Sequence, residues 1–351
     1  MQRSVRRCWQ GGGYVYATRA EEIARAHGHD RPARLASNEN PFPPSPLAVE
    51  RAKDAIERAN RYPPESPDHL QEAFEAVYPG HRFVFGNGMD GVIETVVRML
   101  VDPGDRVVIA APTFSFYGIA ASAQSARVEL VPRRDDFTVD VDAFAAAARG
   151  AKLAFLCTPN NPTGTSTSPD DVAEILDRID GVLFLDNAYV EFSDRDYMPL
   201  ARRFDNLVIG RTMSKAYSLA GLRFGYASVP EWLARFYRRA ATPFSVNVVT
   251  AAAATGALAD RDHVERSVEH ARSWRKRIVD ECGYPAFPST ANFVLIDVAP
   301  RTGNEVMEML AARGVLVRTC SSFPGLGDHY IRVSVGEAEE NEKFLREMRQ
   351  L

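Results

Sequence analysis

The stretch LVIGRTMSKAYSLAGLRFGYASV, residues 207–229, places a polar turn between two apolar runs. The runs Leu207–Gly210 and Phe224–Val229 are short and apolar, which predicts strands buried on both faces. The turn between them carries Lys215, so a chemically active side chain follows a buried strand closely. The same order, a buried strand and then a polar turn, recurs along the chain and decides the fold class.

Further apolar runs predict strands upstream of this stretch, with helical patterns such as Gly91–Leu100 and Pro169–Ile179 between several of them. Alternating strands and helices indicate an α/β fold whose central sheet is mostly parallel. Towards the C-terminus, helices grouped with a few strands predict a smaller α+β domain. The upstream strands are predicted at Arg106–Ala110, Arg127–Val131, Leu153–Cys157 and Val182–Leu185.

Composition narrows the class of protein. The 351 residues carry 42 basic and 46 acidic side chains, a net charge of −4, so no excess of positive charge favours nucleic acid as a partner. No apolar run reaches the roughly 18–20 residues that a membrane span needs. The basic N-terminus MQRSVRRCWQ lacks the apolar core of a secretory signal. The four cysteines have no metal-binding spacing and the histidines form no cluster, so we expect a cytoplasmic protein without a metal.

Lysine is rare in this chain, which makes Lys215 conspicuous. Only five of the 42 basic residues are lysines, and the others are arginines. A lysine at a strand end can be partly desolvated, which lowers its pKa and suits it to form a Schiff base with an aldehyde. The neighbouring Thr212, Ser214 and Arg223 are the neutral and cationic donors that a phosphate needs. A lone lysine in a polar turn is more often an ordinary surface residue, so other segments must decide.

Three other segments strengthen this interpretation. Asp186 ends an apolar strand and is followed by Tyr189, so its carboxylate could pair with a pyridinium nitrogen. Asn161, in the turn PNNPTG, offers an amide donor to a phenolate oxygen. The glycine-rich turn at Gly88 and Met89 runs into a helix, whose free N–H groups attract phosphate. Ligands of open α/β sheets bind at the carboxyl edge, where these segments meet, so we expect pyridoxal 5′-phosphate.

Taken together, the motifs resemble fold type I pyridoxal-phosphate aminotransferases, and within them the histidinol-phosphate aminotransferase family. The resemblance runs from about residue 13 to the C-terminus. It implies a large domain at 37–260 that binds the cofactor, a small α+β domain at 261–351, and an N-terminal arm at 1–36 that contributes to the small domain and the substrate site. The motifs are Tyr14, LASNENP (35–41), RYP (61–63), GNGMD (86–90), PTFSFY (112–117), PNNPTGT (159–165), DNAYVEF (186–192), TMSKAYSLAGLRFGY (212–226), ANFVLI (291–296), Arg318 and IRVSVG (331–336).

The resemblance also implies roles for individual residues. Lys215 would form the Schiff base and shuttle the proton, Asp186 would pair with the ring nitrogen, and Tyr117 would stack on the ring. Asn161 and Tyr189 would bond the phenolic oxygen. The residues implied to hold the phosphate are Gly88, Met89, Asp90, Thr212, Ser214 and Arg223, with Tyr62 reaching in from a second subunit. The residues implied to bind substrate are Tyr14, Asn38, Arg318 and Arg332.

The activity implied is ping-pong transfer of an amino group between L-histidinol phosphate and 2-oxoglutarate in L-histidine biosynthesis, by a homodimeric transferase. Two alternatives on the same scaffold stay open. One is an aromatic amino-acid aminotransferase, with Phe114, Phe116 and Tyr117 lining the pocket. The other is a lyase similar to threonine-phosphate decarboxylase. A regulatory binding module is disfavoured, because about 35 residues before the fold are too few for a typical DNA-binding domain.

Overall fold

The computed structural model describes residues 5–10, 13–16, 18–64 and 67–351 of the chain. The N-terminal arm predicted at 1–36 therefore lies partly outside the described residues. Within them, a seven-stranded sheet forms the centre of the molecule, in the order β2-β8-β7-β6-β5-β3-β4. Its strands are β2 Arg82–Asn87, β3 Arg106–Ala111, β4 Arg127–Pro132, β5 Leu153–Cys157, β6 Val182–Asp186, β7 Leu207–Thr212 and β8 Phe224–Val229.

Helices connect most of these strands, and their sequences explain several of their ends. The Ser168 hydroxyl accepts from the backbone of Asp171, whose carboxylate accepts in return from the backbone of Ser168, and Pro169 suits the first turn. The proline-rich loop that starts at residue 36 ends where Ser45 caps the next helix. The helices are α1 Thr18–Ala26, α2 Pro46–Ile56, α3 Asp68–Val77, α4 Gly88–Leu100, α5 Phe116–Ala123, α6 Val141–Ala148, α7 Pro169–Asp177, α8 Glu231–Ala240, α9 Val248–Ala259, α10 Arg261–Glu281, α11 Gly303–Ala311 and α12 Ala338–Met348.

Two smaller sheets lie outside the central one. β9 (Phe293–Asp297), β11 (Arg318–Thr319) and β12 (Tyr330–Ser334) form an antiparallel sheet in the order β11-β12-β9. β1 (Ala33–Arg34) pairs in parallel with β10 (Val315–Leu316). This pairing joins the N-terminal part of the described chain to its C-terminal part.

The buried apolar residues fall into separate clusters. The largest surrounds the central sheet and draws almost wholly on residues 48–271. A second combines residues 20–36 with residues 278–348, so Ala20 and Ala24 of α1 pack with the C-terminal elements. The domain boundaries at 37 and 260 stay a prediction.

The prediction of an α/β fold with a mostly parallel sheet is confirmed, and two local differences have physical reasons. β2 was not predicted, because only three apolar residues separate Arg82 from Gly86. β8 departs from the mostly parallel arrangement, because it runs antiparallel to both β2 and β7. The connection from β7 to β8 needs no crossover helix, because antiparallel neighbours can be joined by a short loop.

None of the described helices combines the length and the hydrophobicity that a membrane span requires.

Candidate active site

A cavity of about 310 Å³ lies at the carboxyl edge of the central sheet. Of the residues predicted to form the site, all except Gly88 and Tyr62 line it. The predicted residues that line it are Tyr14, Asn38, Met89, Asp90, Tyr117, Asn161, Asp186, Tyr189, Thr212, Ser214, Lys215, Arg223, Arg318 and Arg332. The structure thus brings together segments that lie up to about 300 residues apart in sequence.

Lys215 lies in the turn after β7 and reaches towards the loop at residues 36–45. Its Nζ donates to the backbone carbonyl of Ser37 over 3.3 Å. From the same loop, the Asn40 amide donates to the carbonyls of Lys215 and Ala216, at 3.0 and 3.2 Å. Burial, together with the nearby charge of Arg332, lowers the pKa of Lys215 to about 8, while Glu39 opposes the shift. A substantial fraction of the amine is therefore neutral near physiological pH.

Asp186 ends β6 at the floor of the cavity and is only 3% exposed. Its Oδ2 accepts a hydrogen bond of 2.6 Å from the Tyr117 hydroxyl, and its Oδ1 accepts from the Ala188 backbone at 2.9 Å. Burial raises the pKa of Asp186 to about 6, although both hydrogen bonds favour the charged form. A cation brought next to this carboxylate would offset the desolvation that burial imposes.

Tyr117 and Tyr189 complete the floor in different ways. The ring of Tyr117 stacks on Phe155 with centroids 4.7 Å apart, so one of its faces is already covered. The Tyr189 hydroxyl accepts from the Asn38 amide at 3.0 Å. Asn38 is buried and adopts a positive φ of 53°, which its short polar side chain tolerates better than most. Stacking of a cofactor on Tyr117 stays a prediction.

A cup suited to an anion forms where α4 begins. Gly88 is the first residue of α4, and the preceding Asn87 provides no side-chain cap, so first-turn N–H groups remain for a ligand. The Thr212 hydroxyl donates to that of Ser214 at 3.0 Å. Arg223 completes the cup, with its Nη2 2.8 Å from the carboxylate of Asp90. Backbone N–H groups, hydroxyls and a guanidinium are the usual donors to a phosphate.

Two buried arginines form the opposite end of the cavity. Arg332 donates to the Asn161 amide oxygen at 2.5 Å and to the Ala36 carbonyl at 2.6 Å, while its buried Nε has no partner. Arg318 donates to the Ser322 hydroxyl at 3.1 Å. Within the described part of the chain, neither guanidinium has a carboxylate within 4 Å. Buried charges are normally paired, so this end is suited to an anionic ligand.

Aromatic side chains line the rim near the arginines. Tyr14 packs edge-on against Phe114 with ring centroids 5.9 Å apart, and also against Tyr16 at 5.0 Å. Asn161 uses its amide oxygen for Arg332, so its NH₂ group is the part that can donate to a ligand.

Tyr62 does not line the cavity of its own chain. Its side chain is 80% exposed, and its ring stacks on that of Phe244 at 4.6 Å. Its contact with a cofactor phosphate stays a prediction. Gly88 does not line the cavity, but its N–H donates to the Arg223 carbonyl at 2.7 Å, next to the cup.

Sequence reasoning gave no role to several residues that shape the site. Glu39, Tyr16 and Cys157 line the cavity, and Asn40 fixes the lysine turn. Glu39 and Asn40 belong to the quoted motif LASNENP, so the motif itself was a usable signal. The contact between Asn40 and the turn spans 175 residues, which no local pattern reveals.

The sequence of this chain matches a known protein family over most of its length. The sequence pattern of the family described as aminotransferase class I and II matches residues 32–348. A histidinol-phosphate aminotransferase from Methanoculleus marisnigri is 60% identical over 352 residues, covering 100% of both chains. One from Methanosphaerula palustris is 56% identical over 354 residues, again covering 100% of both.

The chain belongs to the histidinol-phosphate aminotransferase family, within the class I and II aminotransferases.

Solved structures agree with this family. The histidinol-phosphate aminotransferase from Sinorhizobium meliloti, in complex with pyridoxal 5′-phosphate, has a TM-score of 0.87 at 25% identity and covers 99% of this chain and 98% of its own. An aspartate aminotransferase from Thermus thermophilus, 22% identical, shares the fold with a TM-score of 0.87 over 99% of each chain. The predicted family and the predicted fold class are confirmed, and so is the prediction that the chain is an aminotransferase.

Proposed function

We propose that this chain is a pyridoxal 5′-phosphate-dependent histidinol-phosphate aminotransferase of L-histidine biosynthesis. It converts L-histidinol phosphate and 2-oxoglutarate into imidazole acetol phosphate and L-glutamate. The observation that carries this proposal is one cavity that holds Lys215, with its lowered pKa, and the two buried arginines without acidic partners. The name of the relative that is 60% identical over the whole chain supports the same substrate.

The donor set of the cavity fits pyridoxal phosphate. Asp186 is a buried carboxylate that a ring nitrogen could pair with, and Lys215 is an amine with a lowered pKa. The cup at the start of α4 offers donors to the phosphate. The residues proposed to hold the remaining groups are Asn161 and Tyr189 at the phenolic oxygen, Tyr117 at the ring face, and Gly88, Met89, Asp90, Thr212, Ser214 and Arg223 at the phosphate.

When bound, pyridoxal phosphate supplies an electron sink for the charge that develops at the substrate α-carbon. Lys215 accepts the proton from that carbon at Nζ and later returns a proton. A base with a pKa of about 8 suits this task near neutral pH. Asp186, held by the Tyr117 hydroxyl, would pair with the ring nitrogen and so favour its protonated form.

The arginine end of the cavity orients the substrate. Arg332 and Arg318 bind the phosphate of histidinol phosphate or the carboxylates of glutamate and 2-oxoglutarate, because a guanidinium fork suits both groups. Asn38 and Tyr14 contribute the adjoining polar and aromatic surface. The two amino-group partners occupy this cavity in turn, which gives ping-pong kinetics.

A homodimer in the cytoplasm is part of the same proposal. The exposed position of Tyr62, outside its own cavity, supports a role in the site of a second copy. Exposed aromatic rings that stack on each other at the surface, as Tyr62 and Phe244 do, are also typical of an interface.

The test compares substrates on the cofactor-loaded enzyme. We expect kcat/KM for L-histidinol phosphate to exceed that for L-phenylalanine by about a hundredfold or more. The phosphate dianion can pair with both buried arginines, whereas phenylalanine brings a single carboxylate and leaves one guanidinium without an anion. The measurement is glutamate formed from 2-oxoglutarate at matched donor concentrations.

The same assay separates the alternatives. Turnover of phenylalanine alone would identify an aromatic amino-acid aminotransferase, with the Tyr14 and Phe114 wall facing the ring. Release of carbon dioxide from L-threonine phosphate would identify the lyase.

A further inference from the structure

A buried ion pair lies outside the cavity, next to the turn that carries Lys215. Arg211 is in β7 and Glu191 is in a short 3-10 turn at Val190–Phe192. Their side chains are 10% and 9% exposed, and Arg211 Nε lies 3.9 Å from Glu191 Oε1. Neither residue lines the cavity. The pair is therefore not part of the proposed cofactor or substrate contacts.

Three tyrosines surround this pair. Arg211 Nη1 donates to the Tyr78 hydroxyl at 2.7 Å, and the guanidinium lies 5.3 Å from the centre of the Tyr78 ring. Tyr217 lies close enough to Tyr78 to interact with it electrostatically. Tyr226 of β8 lies close enough to interact electrostatically with Arg211. We call these five residues, Tyr78, Glu191, Arg211, Tyr217 and Tyr226, the Glu191 cluster.

The Glu191 cluster contains an unusual concentration of unsatisfied polar atoms. Eight buried side-chain N or O atoms among the described residues have no hydrogen-bond partner, and four of them are here: both carboxylate oxygens of Glu191, Arg211 Nε and the Tyr226 hydroxyl. A separation of 3.9 Å between Arg211 Nε and Glu191 Oε1 is close enough for an ion pair but too long for a direct hydrogen bond. Apolar side chains would fill the same space without this desolvation cost.

The cluster flanks both segments that carry the proposed chemistry. Arg211 precedes Thr212 directly and Lys215 by four residues, and Tyr217 follows Lys215 by two. Glu191 follows Tyr189 by two residues, in the segment that begins at Asp186. Successive strand residues point to opposite faces, so Arg211 lies behind the wall to which Thr212 contributes. The Glu191 cluster thus connects the two segments on the side that faces away from the cavity.

We propose that the Glu191–Arg211 pair is a positioning device, in which the Glu191 carboxylate and the Tyr78 hydroxyl hold Arg211 and so fix the Lys215 turn relative to Asp186 and Tyr189. Directed hydrogen bonds fix orientation in a way that apolar packing does not. This inference rests on the proposed function only in that Lys215 and Asp186 act on one cofactor. Both residues are positioning residues, since neither reaches the cavity.

The main test is Glu191→Gln, which keeps the size of the side chain and removes its charge. We expect the Kd for pyridoxal phosphate to rise about tenfold and kcat to fall about tenfold, with KM for the amino donor within about twofold, because misplacement of reacting groups reduces turnover more than substrate binding. Glu191→Asp keeps the charge and should recover most of the cofactor affinity. Glu174→Gln is the matched control: it removes the same charge from an exposed ion pair with Arg178 away from the cavity, and should bind cofactor like the wild type.

A double variant separates positioning from stability. Glu191→Gln with Arg211→Met removes both charges, and so removes the unpaired buried cation that could unfold the single variant. We expect this double variant to fold and still bind pyridoxal phosphate about tenfold more weakly. Wild-type cofactor affinity in the double variant, or in a folded Glu191→Gln variant, would overturn the proposal. Cofactor affinity is measured without substrate. The Kd values can therefore be interpreted even if histidinol phosphate is not the substrate.

Discussion

At the scale of single residues, the chemistry depends on the protonation of Lys215. Burial and the positive charge of Arg332 lower its pKa, whereas the Glu39 carboxylate raises it. Glu39 lines the same cavity and lies 3.6 Å from Arg34 on its outer side. Glu39 is therefore the acidic group that most directly limits how far the pKa of Lys215 falls.

Replacement of Glu39 should lower the pKa of Lys215. In Glu39→Gln the opposing carboxylate is lost, so the amine becomes neutral at a lower pH than in the wild type, below about 8. Only the neutral amine attacks an aldehyde, so the rate at which apoenzyme recombines with pyridoxal phosphate reports this pKa.

A matched control for this experiment is Glu21→Gln. Glu21 also lies 3.6 Å from Arg34, but it does not line the cavity. Replacement of Glu21 should not shift the pH profile of the rate at which apoenzyme recombines with pyridoxal phosphate. A Glu39→Gln profile that is unchanged, or moved to higher pH, would show that Glu39 does not set the pKa.

At the scale of elements, β8 and the start of α4 are packed backbone to backbone. A Cβ atom added to Gly225 would lie 2.3 Å from the carbonyl carbon of Gly88 and 2.3 Å from the nitrogen of Met89. Glycine at 225 is what lets the strand approach the phosphate cup so closely.

Gly225→Ala should therefore displace the cup. We expect a loss of stability of about 1–3 kcal/mol from overpacking, together with weaker binding of pyridoxal phosphate. Urea unfolding of the apoenzyme and titration with the cofactor measure the two effects. Gly221→Ala is the control, since no atom lies within 4 Å of a Cβ there. Equal affinities in the two variants would contradict this role of the β8–α4 contact.

Elements with a strong local pattern could be predicted from the sequence. Leu153–Cys157 is a strand in both the prediction and the structure, because five consecutive buried apolar residues leave little ambiguity. Residues 230–259 have a helical pattern throughout, which predicts continuous helix, but they form two helices, α8 and α9, and Pro243 lies in the gap between them. The run at residues 315–318 predicts one strand, but it is divided between β10 and β11, which pair in different sheets.

The site was predictable where a motif follows a buried strand, as at Asp186 and Lys215. It was not predictable where distant segments meet. The hydrogen bond from Asn40 to the lysine turn and the ion pair between Glu191 and Arg211 join parts of the chain with no shared local pattern. Such contacts depend on the packing of whole elements.

At the scale of the whole molecule, the proposed dimer makes each site depend on two chains. Tyr62 is exposed and lies outside its own cavity, so its proposed contact with a cofactor phosphate requires a second copy. This dependence can be tested by mixing two inactive variants.

Lys215→Ala and Tyr62→Ala subunits should complement each other. A mixed dimer contains one site with an intact Lys215 and an intact Tyr62 from its neighbour. Random mixing would restore up to about a quarter of wild-type activity, because half of the dimers are mixed and each has one competent site. Unfolding and refolding the variants together, with each alone as a control, provides the measurement. If the mixture is no more active than each variant alone, Tyr62 acts in the site of its own subunit or in neither site.

The central claim is that Lys215 binds pyridoxal phosphate covalently and that histidinol phosphate reacts there. The most direct measurement is the visible absorption spectrum of cofactor-loaded enzyme during titration with L-histidinol phosphate, in the wild type and in Lys215→Ala. We expect a band in the wild type that the substrate bleaches saturably, and that is absent or shifted in the variant. The same band in Lys215→Ala, or a wild-type band that histidinol phosphate leaves unchanged, would contradict the claim.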